Sequence, residues 1–265
     1  MPKIKTGNIN TYYELEGEGE TLVFIHGLGS STEDWVIQSE FFAKDFQVLR
    51  YDVRGHGQSD KPAGAYSVPL FAEDLHDLLD ALDIEKAHIV GLSMGGWIAF
   101  QFSLDYPNMV NSLTIVNSWA DMRLKSFSDR VNYFQRTIIF KFLSMRKIGE
   151  ILGAKLFIKP EHEALRQDFI EKWAKNHKPS YMASFKSAKG WSVENRLSEI
   201  TVPVLVIAAD EDYSPVATKE AYAEKMINAK FVELVVIEDS RHATPVEHPD
   251  EFNQVVNKFL REVMD

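Results

Sequence analysis

One hydroxyl set between glycines, a run of three acids and a late histidine are the side chains of this sequence best suited to work as a chemical unit. The hydroxyl is Ser93 in "AHIVGLSMGGWIAF", residues 87–100. The acids are Asp210, Glu211 and Asp212 in "VPVLVIAADEDYSP", and the histidine is His242 in "EDSRHATPVEHP". A serine hydroxyl attacks a carbonyl only when a base takes its proton, and an imidazole base keeps the needed tautomer when a carboxylate holds its other nitrogen. Gly91-Leu92-Ser93-Met94-Gly95 is a G-x-S-x-G pattern with an apolar, strand-like run before it and a helix-like run after it. Such a turn lifts the hydroxyl to the edge of a sheet. It also aims the next backbone N–H, that of Met94, at the same point, where a helix N-terminus favours negative charge.

Position sorts the eight histidines. His242 follows the last strand-like run, which brings it to the sheet edge that carries Ser93. His248 is expected just inside the next helix, His56 in a glycine-flanked turn, His76 and His88 in packed elements, and His162 and His177 in a polar middle segment. A carboxylate in the run 210–212 would face the histidine loop in the chain order Ser, Asp, His. Asp121, in "NSWADM", is the other acid at a strand end.

Those residues need a scaffold, and the pattern supplies one. Short runs rich in β-branched residues, "INTYYEL", "TLVFIH", "FQVLRYD", "AHIVG", "SLTIVNS", "VPVLVIAAD" and "KFVELVVIED", alternate with helical stretches. That alternation predicts a mostly parallel sheet covered on both faces. Leu70, Leu75, Leu78, Leu79 and Leu82 form the buried stripe of one helix. Residues 121–195 are helix-patterned without strand alternation and are expected to form a helical cap or lid; 1–120 and 196–265 form the core domain.

In these motifs and their order the chain resembles the α/β-hydrolases, over nearly its whole length except the cap. The resemblance implies an eight-stranded, mostly parallel sheet flanked by helices, with the cap inserted after strand 6. The family's acid stands three residues beyond a glycine that closes its strand. Ala209 stands at that glycine here, and the count reaches Asp212, with Asp210 second. "FIHGLGSSTEDW" resembles the family's His-Gly-x turn, which implies that Leu28 N–H completes an oxyanion hole with Met94 N–H, while His26 braces the loop. "YDVRGHGQSDKP" resembles the family's D-x-R-G-x-G-x-S loop. Related dehalogenases and epoxide hydrolases carry aspartate at the elbow, so Ser93 points instead to acyl transfer to water, with a carboxylic ester as substrate. Carbon–carbon hydrolases of this fold often carry Trp after the histidine, where this chain has Ala243. Enol-lactonases, cofactor-free peroxidases and small-molecule receptors share the motifs.

Composition bounds the rest. With 265 residues, 45% hydrophobic and 26% charged, the chain can bury a large core. The absence of cysteine removes disulfides, thiolate nucleophiles and thiolate metal sites. A net charge of −10 disfavours nucleic acid as a partner. No bilayer-length apolar run or signal-peptide layout is visible, so a soluble, cytoplasmic protein is expected, without membrane partner, metal or cofactor. Apolar walls are expected around Ser93 from Leu28, Met94, Trp119 and Tyr213, with Phe127, Phe134 and Phe140 from the cap. Between Met122 and Gly190 fifteen basic residues stand against six acidic ones. Arg123, Lys125, Arg130, Arg136, Lys141, Arg146 and Lys147 recur through its first half, a layout similar to that of pimeloyl-carrier-protein methyl ester esterases. That likeness implies an acidic acyl carrier protein as a possible partner.

Overall fold

The computed structural model describes residues 2–265. Its strands are β1 (Lys3–Thr6), β2 (Ile9–Glu16), β3 (Thr21–Ile25), β4 (Gln47–Tyr51), β5 (Ala87–Leu92), β6 (Val110–Val116), β7 (Val204–Ala209) and β8 (Val232–Ile237). They form one sheet in the order β1-β2-β4-β3-β5-β6-β7-β8. The β1–β2 and β2–β4 pairs are antiparallel, and every pair from β4 to β8 is parallel. The helices are α1 (Val36–Phe42), α2 (Val68–Ala81), α3 (Met94–Asp105), α4 (Phe127–Phe142), α5 (Met145–Leu156), α6 (Glu163–Ala174), α7 (Lys178–Ser187), α8 (Val216–Ala223), α9 (Thr244–Glu247) and α10 (Pro249–Met264).

Both faces of the sheet are covered, so β3, β5 and β7 are buried at every residue and read in the sequence as unbroken apolar runs. Their side chains still alternate. In β3, Val23 and Ile25 pack with Phe71, Leu75, Leu78 and Leu79 of α2, whereas Leu22 and Phe24 pack with Trp35, Phe42 and Phe252 on the other face. Helix α2 starts where Ser67 accepts the Leu70 N–H, and its stripe buries Leu75, Leu78 and Leu79 completely.

Between β6 and β7 the chain runs through α4 to α7, and Phe140, Met145, Ile148, Trp173, Tyr181 and Phe185 form a small core of their own. Leu28 touches both that cluster and the main core. Gly29 holds φ +80°, and a Cβ there would lie 2.7 Å from the Trp173 ring, so the loop after β3 fits directly beneath α6. The last helical stretch departs from its sequence reading. It is split into α9 and α10, because Pro249 disfavours helical geometry at His248, which takes φ −129°. His248 therefore lies between two helices, with Nε2 hydrogen bonded to the Asp239 carbonyl at 3.1 Å.

Candidate active site

Strand β5 ends at Leu92, α3 begins at Met94, and Ser93 between them takes φ +55°, ψ −111°. A non-glycine residue seldom holds such a backbone, and the cost is borne by the contacts around it. Ser93 N–H donates to the Val116 carbonyl at 2.9 Å, and Ser118 Oγ donates to the Ser93 carbonyl at 2.7 Å. The flanking glycines are required by close approach. A Cβ on Gly91 would lie 2.3 Å from the Gly95 carbonyl oxygen, and one on Gly95 would lie 2.1 Å from that of Ile25. A Cβ on Gly27 would come within 3.6 Å of Ser93 Cβ, which sets the His26–Leu28 turn beside the hydroxyl. Met94 is the first residue of α3, where a backbone N–H has no acceptor in its own helix.

The structure brings Asp212 and His242 together. His242 Nδ1 donates to Asp212 Oδ1 at 2.8 Å, and the Asp212 side chain has no exposed surface. Burial alone would raise the Asp212 pKa. The hydrogen bond and charge of His242, then hydrogen bonds from Lys219 and Ser214, reverse that and hold it at about 2. A charged carboxylate on Nδ1 fixes the tautomer that leaves Nε2 as an acceptor. That nitrogen is bonded to the Tyr213 hydroxyl at 2.6 Å. Tyr213 is 62% exposed as a residue, yet its hydroxyl is turned inward onto His242. Burial together with the Asp212 charge pushes the pKa of the Tyr213 hydroxyl up, so it stays a neutral donor. Trp119 stacks on Tyr213 with ring centroids 5.5 Å apart and lies 6.1 Å from the His242 ring.

The other candidates are engaged elsewhere. Asp121 is held by Arg123 and Lys125, which keep its carboxyl below the usual range against the opposing effect of burial. Asp210 Oδ1 accepts the Ser240 and Glu211 N–H groups and so pins the acid loop to the histidine loop. His26 Nε2 accepts the Val53 N–H at 3.0 Å and Nδ1 bonds the Gly27 carbonyl at 2.8 Å, with burial lowering its pKa to about 4. It braces the turn that carries Leu28.

The aromatic residues expected from the cap lie in different surroundings. Phe134 and Phe127 are 64% and 81% exposed, and Phe134 lines a surface hollow with Arg123, Leu124, Arg130, Tyr133, Lys189 and Gly190. Helix α4 buries Phe140 instead, between Tyr181 and Phe185. Met94 is fully buried, and its side chain packs in the main core. Arg123, Lys125, Arg146 and Lys147 are each ion-paired within the chain. Arg136 lies over the Phe140 and Phe185 rings at 5.6 and 5.5 Å.

Three supporting residues have no obvious mark in the sequence. Asn117, fully buried, donates to the carbonyls of Arg241 and His242 and to Thr244 Oγ1, and accepts the Ala209 N–H. It joins the ends of β6 and β7 to the histidine loop. The buried Lys219 and its neighbour Ser214 hold the second oxygen of Asp212. Among the described residues no three His, Cys, Asp or Glu side chains converge as a metal site requires, and no helix is long and apolar enough to cross a membrane.

Comparison with known proteins bears on the family. The chain is 30% identical to a putative carbamate hydrolase RutD of Azorhizobium caulinodans, covering 99% of each. It is 27% identical to (E)-2-((N-methylformamido)methylene)succinate hydrolase of Acinetobacter baylyi, over 96% of this chain and 95% of that one. The structure superposes on a malate-bound thermophilic esterase from Thermogutta terrifontis with a TM-score of 0.87 and 26% identity, covering 99% and 98% of the two chains. A family model for the alpha/beta hydrolase fold matches residues 20–249, and the chain belongs to that family of hydrolases.

Proposed function

We propose that the protein hydrolyses a carboxylic ester of a small molecule through an acyl-enzyme on Ser93. In this reading His242 Nε2 takes the Ser93 proton as Oγ attacks the carbonyl carbon. Leu28 N–H and Met94 N–H hold the oxyanion of the tetrahedral intermediate. The intermediate collapses, its carbon–oxygen bond breaks, and the imidazolium gives its proton to the departing alkoxide. Water then attacks the acyl-enzyme with His242 again as base, and Ser93 is released with the carboxylic acid. The Tyr213 hydroxyl must leave Nε2 before Ser93 Oγ can hand over its proton directly.

The observation that carries this reading is the 2.8 Å bond from His242 Nδ1 to a fully buried, ionised Asp212. It leaves the other ring nitrogen as the acceptor, and that nitrogen meets the Tyr213 hydroxyl at 2.6 Å. An ester is favoured over an amide because an alkoxide leaves more readily than an amine. A free small ester is favoured over a carrier-tethered one because Arg123, Lys125, Arg146 and Lys147 already have carboxylate partners in the chain. Helices α4–α7 act in this account as the cap over the site.

Steady-state hydrolysis of a short p-nitrophenyl ester by the wild type and by Ser93→Ala tests the proposal. Sustained release that vanishes in Ser93→Ala supports it. A single stoichiometric burst would mark a receptor that is acylated and does not turn over.

A further inference from the structure

Lys219 lies on the first turns of α8, and its side chain has no exposed surface. A buried ammonium is strongly disfavoured unless every donor is met and a counter-charge is near. Both conditions hold here. Nζ donates to Asp212 Oδ2 at 2.7 Å, to the Ser214 carbonyl at 2.6 Å and to Ser214 Oγ, three acceptors for its three protons. Ser214 Oγ in turn donates to Asp212 Oδ2 at 2.5 Å. The two oxygens of Asp212 therefore have separate duties: Oδ2 is fixed by Lys219 and Ser214, and Oδ1 faces His242 Nδ1.

This arrangement has an electrostatic consequence. In an ordinary Asp–His pair a bare carboxylate stabilises the imidazolium. Here the carboxylate is already matched by an ammonium on its far side, so the imidazolium would face a pair with no net charge. We propose that Lys219 is a positioning residue for Asp212 that also weakens the pull of Asp212 on the His242 proton, and so extends activity to lower pH. This inference rests on the triad proposed above.

The other groups around His242 leave that assignment intact. Tyr213 meets Nε2 and is neutral, and the Trp119 ring packs beside it. On its own loop Arg241 is ion-paired with Glu211, and Glu247 accepts the Arg241 N–H. From α4 Arg136 acts on Tyr213, and from α7 and α8 the buried phenols Tyr181 and Tyr222 approach Tyr213 and Asp212. None of these changes when Lys219 alone is replaced.

Two substitutions separate position from charge. Lys219→Gln keeps an N–H donor for Asp212 and loses the charge; Lys219→Met loses both. In p-nitrophenyl ester hydrolysis, the acid limb of the kcat/KM profile should move to higher pH by about one unit or more in both variants. Plateau kcat should fall about tenfold or more in Lys219→Met and only about threefold in Lys219→Gln. Folded Lys219 variants whose acid limb coincides with that of the wild type would overturn the proposal. If neither variant folds, 15N NMR of the wild type decides. A slowly exchanging Lys219 ammonium signal that shifts with the acid limb supports the inference, and one that ignores it overturns it. Failure of the underlying triad shows separately, as full turnover by Ser93→Ala.

Discussion

Replacing Asn117 by alanine should destabilise the fold and slow the reaction together, although Asn117 is not one of the proposed reacting groups. Its side chain makes four hydrogen bonds in a site with no exposure, at 2.8 to 3.2 Å, to β7 and to the backbone and side chain of the histidine loop. Alanine leaves the Ala209 N–H and the His242 carbonyl without that partner. Each buried group stranded in this way costs about 1–3 kcal/mol. Asn117 also holds φ +43°, a conformation that asparagine tolerates better than alanine, at a further cost of about 1 kcal/mol. The combined loss, about 3–7 kcal/mol, is a large share of a typical folding free energy of about 5–15 kcal/mol. In a chain of this size it corresponds to a fall in Tm of about 6–28 °C. Differential scanning calorimetry reads the stability, and p-nitrophenyl ester hydrolysis at room temperature reads kcat, which should drop about tenfold or more as the His242 backbone loses its tether. A Tm within about 2 °C of the wild type, with unchanged kcat, would refute the claim that Asn117 holds the histidine loop in place.

Ser93→Ala and His242→Ala should each lower kcat by about 10⁴-fold or more, and the double variant should be little worse than either, because groups that act as a unit are not additive. Asp212→Asn should be nearly as severe while Asp121→Asn and Asp210→Asn keep most activity; the opposite ranking in the same assay would reassign the acid. Tyr213→Phe removes the hydroxyl that competes for Nε2 and should raise kcat/KM for a small neutral ester by about three- to tenfold, a hydrogen bond being worth about 1 kcal/mol; a tenfold loss would make that hydroxyl part of substrate binding. Burial lowers the pKa of His26 to about 4 and that of His56 to about 3, so in the acid range the unfolded chain takes up protons that the folded one refuses. Their stabilising contribution is whole above about pH 6.5 and declines as pH falls below it, by up to about 1.4 kcal/mol per pH unit for each histidine. Tm measured from about pH 7 down to about pH 5 should show this slope, and His56→Gln should flatten it; equal slopes in the two proteins would contradict the assignment.

How far the site can be read without a structure depends on the kind of residue. Gly91 and Gly95 are legible because a side chain at either would strike backbone within 2.5 Å, and only glycine meets that demand. Asp212 follows from counting along a motif, and it meets His242 even though Ala209 stands where the motif has glycine. Lys219 was hidden. In "PVATKEAYAEKMI" it reads as one polar residue of an exposed helix face, since lysine is rarely buried and nothing local announces its partner seven residues back. The aromatic residues of α4 are hard to sort for the converse reason. Hydrophobicity alone does not say which of Phe127, Phe134 and Phe140 faces inward, and the helix turns only Phe140 onto Tyr181 and Phe185. Tyr213 could be named as a neighbour of the site, but the direction of its hydroxyl depends on the packing of Trp119 and His242 around its ring.

Covalent labelling of Ser93 bears most directly on the acyl-enzyme account. The wild type is treated with a p-nitrophenyl alkylphosphonate, which phosphonylates an activated serine and releases p-nitrophenol, and intact mass and peptide mass spectrometry follow. The account predicts one adduct per chain, in the peptide containing residues 87–100 and on Ser93, with none in Ser93→Ala and strongly slowed formation in His242→Ala. An unlabelled wild type that still turns over a p-nitrophenyl ester, or an adduct on another residue, would contradict it.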